Sequence, residues 1–166
     1  MIPEKMPEWL DVLIQRLSGL DVFDGKIPNH VLVNEYEAGQ GIMPHEDGPL
    51  FHPVISTLNI GSYTFLDFYY HISDGTSQAE SCAEQERYFM SLFLQPRSLL
   101  LIKSDMYNRF LHGIGPKTQD VITDKIGNLG FCDASVGEVM ERQRRISLTI
   151  RHVPHTLKVK LKLGKT

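Results

Sequence analysis

His45-Glu46-Asp47 closes a run of the chain with strand character. In a strand, residues i and i+2 project to one face, so His45 and Asp47 project together and Glu46 projects away. A histidine and a carboxylate on one face, joined by a histidine from elsewhere, form a two-His-one-carboxylate facial set. That donor set leaves adjacent positions open on an octahedral metal and suits Fe(II) in oxygenation chemistry. Taken alone, His-x-Asp reads as a solvated turn, so the weight falls on its company. The chain has seven histidines. His30, His52, His71, His152 and His155 lie at strand starts, in turns or beside prolines. His112 follows the strand-like run Tyr107–Leu111, several strands after His45, where a barrel brings the chain back to the same mouth. It is the expected third ligand.

A second constellation is Arg145-Ile146-Ser147-Leu148-Thr149-Ile150-Arg151. Alternation places Arg145, Ser147, Thr149 and Arg151 on one strand face. A guanidinium presents a planar fork matched to a carboxylate and stays charged when partly buried. A face of Arg, Ser, Thr and Arg turned into a barrel suits a small dicarboxylate. The same period equally allows that face to point outward, with Ile146, Leu148 and Ile150 inside. Arg142 lies three residues before Arg145, outside this alternation, and is expected to stand clear of the acid. Asn34 and Tyr36 form a third same-face pair, whose amide and phenol could hydrogen-bond an acid.

The elements that must position these groups are mostly strands. Trp9, Leu10, Leu13, Ile14 and Leu17 recur at helical spacing over residues 8–18, and Gly19, Gly25 and Pro28 end that helix. Short β-rich runs follow at His30–Tyr36, Ile42–Gly48, Val54–Ile60, Thr64–Tyr69, Phe89–Leu94, Ser98–Lys103, Tyr107–Ile114, Arg144–Val153 and Thr156–Leu163. Many short strands with so little helix argue a sandwich or barrel rather than a parallel βαβ sheet. His71–Arg87 is polar and reads as a surface loop. Lys117–Met140 reads as a long excursion with one short helix, the kind of insertion that serves as a lid or partner-specific decoration.

Composition sets the bounds. With 166 residues, 42% hydrophobic and 22% charged, the chain is about one ordinary globular domain. No apolar run reaches the ~20 residues of a membrane span, and the N-terminus lacks a secretory pattern. Cys82 and Cys132 make neither a disulfide framework nor a zinc motif, which fits a reducing compartment. The net charge of −3 does not draw nucleic acid to the whole chain. The segment 141–166 is basic and could meet phosphate. The alternation Leu157-Lys158-Val159-Lys160-Leu161-Lys162-Leu163 reads instead as a half-buried strand with its lysines in water.

The ordered set Leu32-Val33-Asn34-Glu35-Tyr36, Ala38-Gly39, His45-Glu46-Asp47, Arg109-Phe110-Leu111-His112-Gly113-Ile114 and Arg145–Arg151 resembles the AlkB-type dioxygenases. The run Leu32–Leu50 is similar above all to the homologue 6 branch of that family in higher eukaryotes. The resemblance covers nearly all of the chain. It implies a mainly β, double-stranded β-helix (jelly-roll) fold with an N-terminal helix and long inter-strand insertions. Residues 1–29 would be the helix and lead-in, and residues 30–166 the dioxygenase domain. It implies that His45, Asp47 and His112 bind Fe(II), and that Arg145, Asn34 and Tyr36 hold the distal carboxylate of 2-oxoglutarate. Arg151 would stand near the metal-bound end.

Such enzymes couple decarboxylation of 2-oxoglutarate by O₂ to hydroxylation of a substrate. On an N-methyl group the hydroxylated product releases formaldehyde. A nucleic-acid or protein substrate, weak non-specific nucleic-acid binding, no membrane, and a cytoplasmic and nuclear location are expected. Relatives carry a longer region before the barrel, so a short isoform or an incomplete gene model is expected. DNA-repair members also carry acids soon after His-x-Asp, where this chain has Gly48-Pro49-Leu50, so repair of alkylated bases is not expected. The competing readings are a non-catalytic barrel that binds nucleic acid or a partner, and a cupin-like metalloenzyme that does not use 2-oxoglutarate.

Overall fold

The computed structural model describes residues 4–71 and 84–156. Helix α1 (Glu8–Gly19) comes first, followed by strands β1 (His30–Tyr36), β2 (Ile42–His45), β3 (Val54–Gly61) and β4 (Thr64–Tyr70). A helical turn, α2 (Glu84–Arg87), leads into β5 (Tyr88–Leu94) and β6 (Leu99–Lys103). Another, α3 (Asp105–Asn108), precedes β7 (Phe110–Ile114). The hairpin strands β8 (Gln119–Val121) and β9 (Val139–Glu141) flank a 3₁₀ turn at Leu129–Phe131, and β10 (Arg145–Arg151) follows.

Two antiparallel four-stranded sheets form a jelly roll, with orders β1-β10-β3-β6 and β2-β7-β4-β5. Strands adjacent in a sheet are distant in sequence, so no linear stretch contains the site. The inner faces meet through Ile55, Leu66, Phe68, Leu94, Ile102 and Ile114. These come from five strands and alternate with outward residues, as the period of two requires.

Both outer faces are covered as well. Leu10 and Leu17 of α1 pack on Leu148 and Ile150 of β10, which decides the orientation that alternation left open. Arg145, Ser147, Thr149 and Arg151 face the interior, and the aliphatic residues between them lie under the helix. Trp9, expected on the apolar stripe, is 58% exposed; Leu10, Ile14 and Leu17 form the buried stripe without it. On the other sheet, Ile122 and Ile126 from the excursion pack on Tyr63, Phe65 and Phe93.

Several expected boundaries move. β2 stops at His45, with an irregular register between Ile42 and His45. Asp47 therefore reaches the site through the following turn, where Gly48 has φ +82°, and not as the second residue of a strand pair. Tyr107 and Asn108 belong to α3, because Tyr107 and Asn108 N–H groups both donate to Ser104 O. The excursion holds the β8–β9 hairpin as well as its short helical turn. Cys82 and the run from residue 157 onward lie outside the described residues. The basic segment is described only as far as residue 156, so the lysines expected in water lie outside the described residues. Of its four described basic residues, Arg142, Arg145 and Arg151 are buried and only Arg144 is exposed.

Candidate functional site

All seven residues singled out in the sequence line one cavity between the sheets: His45, Asp47, His112, Asn34, Tyr36, Arg145 and Arg151. His45 and His112 are direct cross-strand partners on β2 and β7, with ring centroids 4.6 Å apart. One ligand atom from each of His45, Asp47 and His112 falls within 4.8 Å of the other two. His45 Nδ1 lies 2.9 Å from Met43 O. A carbonyl only accepts, so Nδ1 carries the proton and Nε2 keeps its lone pair for a metal.

Asp47 is held from both sides. Its side chain is 2% exposed, and Oδ2 lies 3.3 Å from His112 Nε2. Arg151 Nη2 donates to Oδ1. Burial pushes the Asp47 carboxyl up, but the His112 hydrogen bond and the positive charges of Arg151, His112 and His45 outweigh it and hold the pKa below 3.8. Asp47 is therefore an anion at neutral pH. Tyr107 donates its hydroxyl to Gly48 O at 2.8 Å, which pins the turn that carries Asp47. The Arg151 guanidinium also sits 4.7 Å from the Phe51 ring centroid. Glu46 points away, with its Oε1 3.3 Å from His71 Nε2.

Deeper in the cavity, register aligns the polar residues across three strands. Tyr36 of β1 stands opposite Arg145 of β10, which stands opposite Gly61 of β3; Asn34 aligns with Ser147 and then Asn59. Arg145 is 4% exposed. Its Nε donates to Asn59 Oδ1, and its guanidinium carbon lies 5.3 Å from the Tyr36 ring centroid. Burial lowers its pKa to about 10, against the opposing effect of Tyr36, so it remains a cation at neutral pH. Arg145 Nη1 and Arg151 Nε are buried without a hydrogen-bond partner among the described residues. A buried guanidinium N–H left unpaired is costly, and a carboxylate in the cavity would satisfy it.

Three contributors escaped the sequence reading: Asn59, Tyr107 and Phe51. Asn59 had a visible signal, being polar in an apolar strand and fully buried in the structure. Its Nδ2 donates to Leu94 O and Gln95 O at 3.0 and 2.9 Å, so the amide that orients Arg145 is itself fixed. Tyr107 and Phe51 carried no such signal.

The donor set and the orphaned guanidinium atoms fit the groups the resemblance implies. Two neutral-capable imidazoles and an anionic carboxylate suit Fe(II), and a buried cation on a polar strand face suits a dicarboxylate.

The comparisons with known proteins agree. The model of the 2OG-Fe(II) oxygenase superfamily matches residues 2–151. The "Probable RNA/DNA demethylase ALKBH6" of Danio rerio is 47% identical over 165 residues, which cover 99% of this chain and 70% of that protein. An uncharacterised protein of Acanthamoeba polyphaga mimivirus is 33% identical over 92% of this chain and 60% of its own length. The "tRNA (carboxymethyluridine(34)-5-O)-methyltransferase alkbh8" of Xenopus tropicalis is 31% identical over 93% of this chain, which spans 22% of that protein. With two histidines, an aspartate and a buried arginine gathered in one jelly-roll cavity, the chain belongs to the 2OG-Fe(II) oxygenase superfamily, whose chemistry uses Fe(II), 2-oxoglutarate and O₂.

Proposed function

We propose that His45, Asp47 and His112 hold Fe(II), that Arg145 with Asn34 and Tyr36 holds the distal carboxylate of 2-oxoglutarate, and that the enzyme oxidises an alkyl group on nucleic acid. The observation that carries the reading is the convergence of all these residues on one cavity. Bound together, the iron, cosubstrate and O₂ supply oxidation of a C–H bond with succinate and CO₂ as co-products; on an N-methyl group, formaldehyde follows.

The chain's own residues select and orient. His112 Nε2 and Asp47 Oδ2 stand 3.3 Å apart, and with His45 Nε2 they are the atoms that would hold a divalent cation. Arg151 donates to the other Asp47 oxygen, Oδ1, and balances its charge, which leaves Oδ2 as the oxygen that would face the ion. Arg145 offers Nη1 to the cosubstrate while Nε remains tied to Asn59. Leu66, Leu94, Leu100 and Ile102 line the rest of the cavity and keep water from it. A nucleic-acid substrate is supported by the name carried by the Danio rerio relative. Gly48, Pro49 and the exposed Leu50 offer no acid to read a base, so we expect weak binding that fades with salt. A cytoplasmic and nuclear location belongs to the same proposal.

The test is anaerobic Fe(II) titration with and without 2-oxoglutarate, followed by paired assays of succinate and formaldehyde with methylated RNA, methylated DNA and methylated peptide. A visible charge-transfer band that needs both iron and 2-oxoglutarate supports the site assignment. Its absence from a folded protein overturns it. Formaldehyde release with the peptide and not with either nucleic acid moves the substrate to protein.

A further inference from the structure

A second cleft lies back to back with the metal cavity, on the outer face of the β2-β7-β4-β5 sheet. Asp67 of β4 pairs in register with Gly113 of β7, beside His112. Phe68 turns inward toward the His112 ring, so Asp67 turns outward, into a cleft of about 480 Å³. That volume lies within the ~300–1,000 Å³ of small-molecule sites. The Ser91 hydroxyl donates to Asp67 Oδ1, and Tyr88 Oη lies 2.8 Å from Ser91 Oγ. Ser91 has one proton to give, so Tyr88 donates to Ser91 and the chain of hydroxyls ends on the carboxyl. Asp67 Oδ2 carries no hydrogen bond among the described residues.

The rim of the cleft is basic. Lys117 Cε and Asp67 Oδ2 both approach the open space beside Gly115, at 3.5 and 3.8 Å from where a Cβ would stand. Lys125 Nζ lies 5.1 Å from the Tyr88 ring centroid. Neither lysine has an acidic ion-pair partner among the described residues. The one other acid lining the cleft, Asp120, is spent on Arg142, which grips it through Nε and Nη2 at 2.6 and 2.8 Å.

The rim is also built in advance. Ser91 N–H donates to Lys125 O, and Gly127 N–H donates to Ser91 O. Asn128 brackets Phe93 by accepting from its N–H and donating to its carbonyl. On the other side, Gly39 N–H donates to Lys117 O and Arg142 Nη1 to Gly115 O. A pre-formed rim lowers the ordering cost of binding.

A free anion alone would be repelled by a carboxylate floor. The arrangement calls for a ligand with an anion at one end and hydroxyl donors at the other. We propose that this cleft binds a phosphorylated sugar of the ribose type, with phosphate between Lys117 and Lys125 and sugar hydroxyls donating to Asp67. That unit occurs both in free ribonucleotides and in RNA. The inference does not depend on the metal cavity.

The experiment is titration of the intact protein, followed by calorimetry and backbone amide NMR. The probes are ribose 5-phosphate, 2-deoxyribose 5-phosphate, inorganic phosphate, oligouridylate and oligothymidylate. Ribose 5-phosphate should shift the backbone amides of Gly115, Lys117 and residues 123–127. Its affinity should fall on the order of tenfold in Lys117→Ala, Lys125→Ala and Asp67→Asn, the loss expected for one charge-assisted contact. Lys117 and Lys125 are exposed, so their variants keep the fold even if Asp67→Asn does not. Oligouridylate binding with the same variant dependence supports the proposal with RNA as the source. Binding of the monomer alone supports it with a free nucleotide as the source. Equal binding of the deoxy probes or of inorganic phosphate overturns it, as do shifts confined to the metal cavity or no binding.

Discussion

Arg145 is tied through its Nε to Asn59 Oδ1, while its buried Nη1 has no hydrogen-bond partner among the described residues. Asn59 is held in turn by carbonyls at the end of β5, so the orientation of Arg145 is set by a strand end distant from it in sequence.

Arg145→Ala is expected to weaken 2-oxoglutarate binding by about 2–5 kcal/mol, the range for truncating one partner of a buried charge pair. Arg145→Lys restores part of it, because an ammonium lacks the planar fork. Asn59→Ala falls between them, since Arg145 keeps its charge but loses its anchor. The matched control is Arg144→Ala, whose exposed side chain pairs with Glu35. Arg142 is no neutral control, because its buried pair with Asp120 costs about 3–5 kcal/mol of stability when broken. Calorimetry of 2-oxoglutarate binding beside thermal melts separates the two; equal loss of affinity in Arg144→Ala and Arg145→Ala overturns the assignment.

His45→Ala, His112→Ala and Asp47→Ala should each abolish stoichiometric Fe(II) binding, read by anaerobic titration. Their stabilities should diverge. His45 is half-exposed and its loss leaves melting near the parent. Asp47→Ala strands the Arg151 guanidinium, whose side chain is 10% exposed, and should cost about 3–5 kcal/mol in the metal-free protein. Normal iron binding by all three variants would refute the triad.

The Asp47 carboxyl has a folded pKa below its unfolded 3.8. A depressed carboxylate contributes stability that is fully present above the unfolded value and is lost as pH falls through the folded one. Urea melts of the metal-free protein should therefore lose this contribution only below about pH 4. In Asp47→Asn that segment of the pH profile should flatten. An unchanged profile in the variant would show that the pairing with Arg151 and His112 adds nothing.

Gly41 and Gly113 let β2 and β7 approach closely where these strands carry His45 and His112. A Cβ on Gly41 would stand 2.1 Å from Ile114 O, and one on Gly113 would stand 2.9 Å from Ile42 O. Gly113→Ala should push the strands apart by enough to separate His45 from His112. The expected result is a loss of Fe(II) affinity of at least about tenfold, equal to ~1.4 kcal/mol, with 2-oxoglutarate contacts on β10 untouched. Parent-like affinity in a folded Gly113→Ala protein would show that β2 tolerates the shift.

Much of the site was legible because it depends on residue chemistry and on a period of two. Arg145, Ser147, Thr149 and Arg151 share a face in any strand, and His-x-Asp with a later histidine is a donor set whatever the fold. Local pattern could not choose between the two faces of β10. Leu10 and Leu17 of α1 made that choice by covering Leu148 and Ile150, a contact across about 130 residues of chain. Local pattern also misplaced the route to Asp47, since tertiary anchors at Tyr107 and Arg151 hold a turn where strand character had ended. Asn59, the Gly41–Ile114 approach and the Asp120–Arg142 pair lie in the same category. The sequence by itself determined which chemistry the side chains can perform and which of them share a strand face. Their convergence was decided by packing between strands distant in sequence, because burial and register are properties of the two closed sheets and not of any segment.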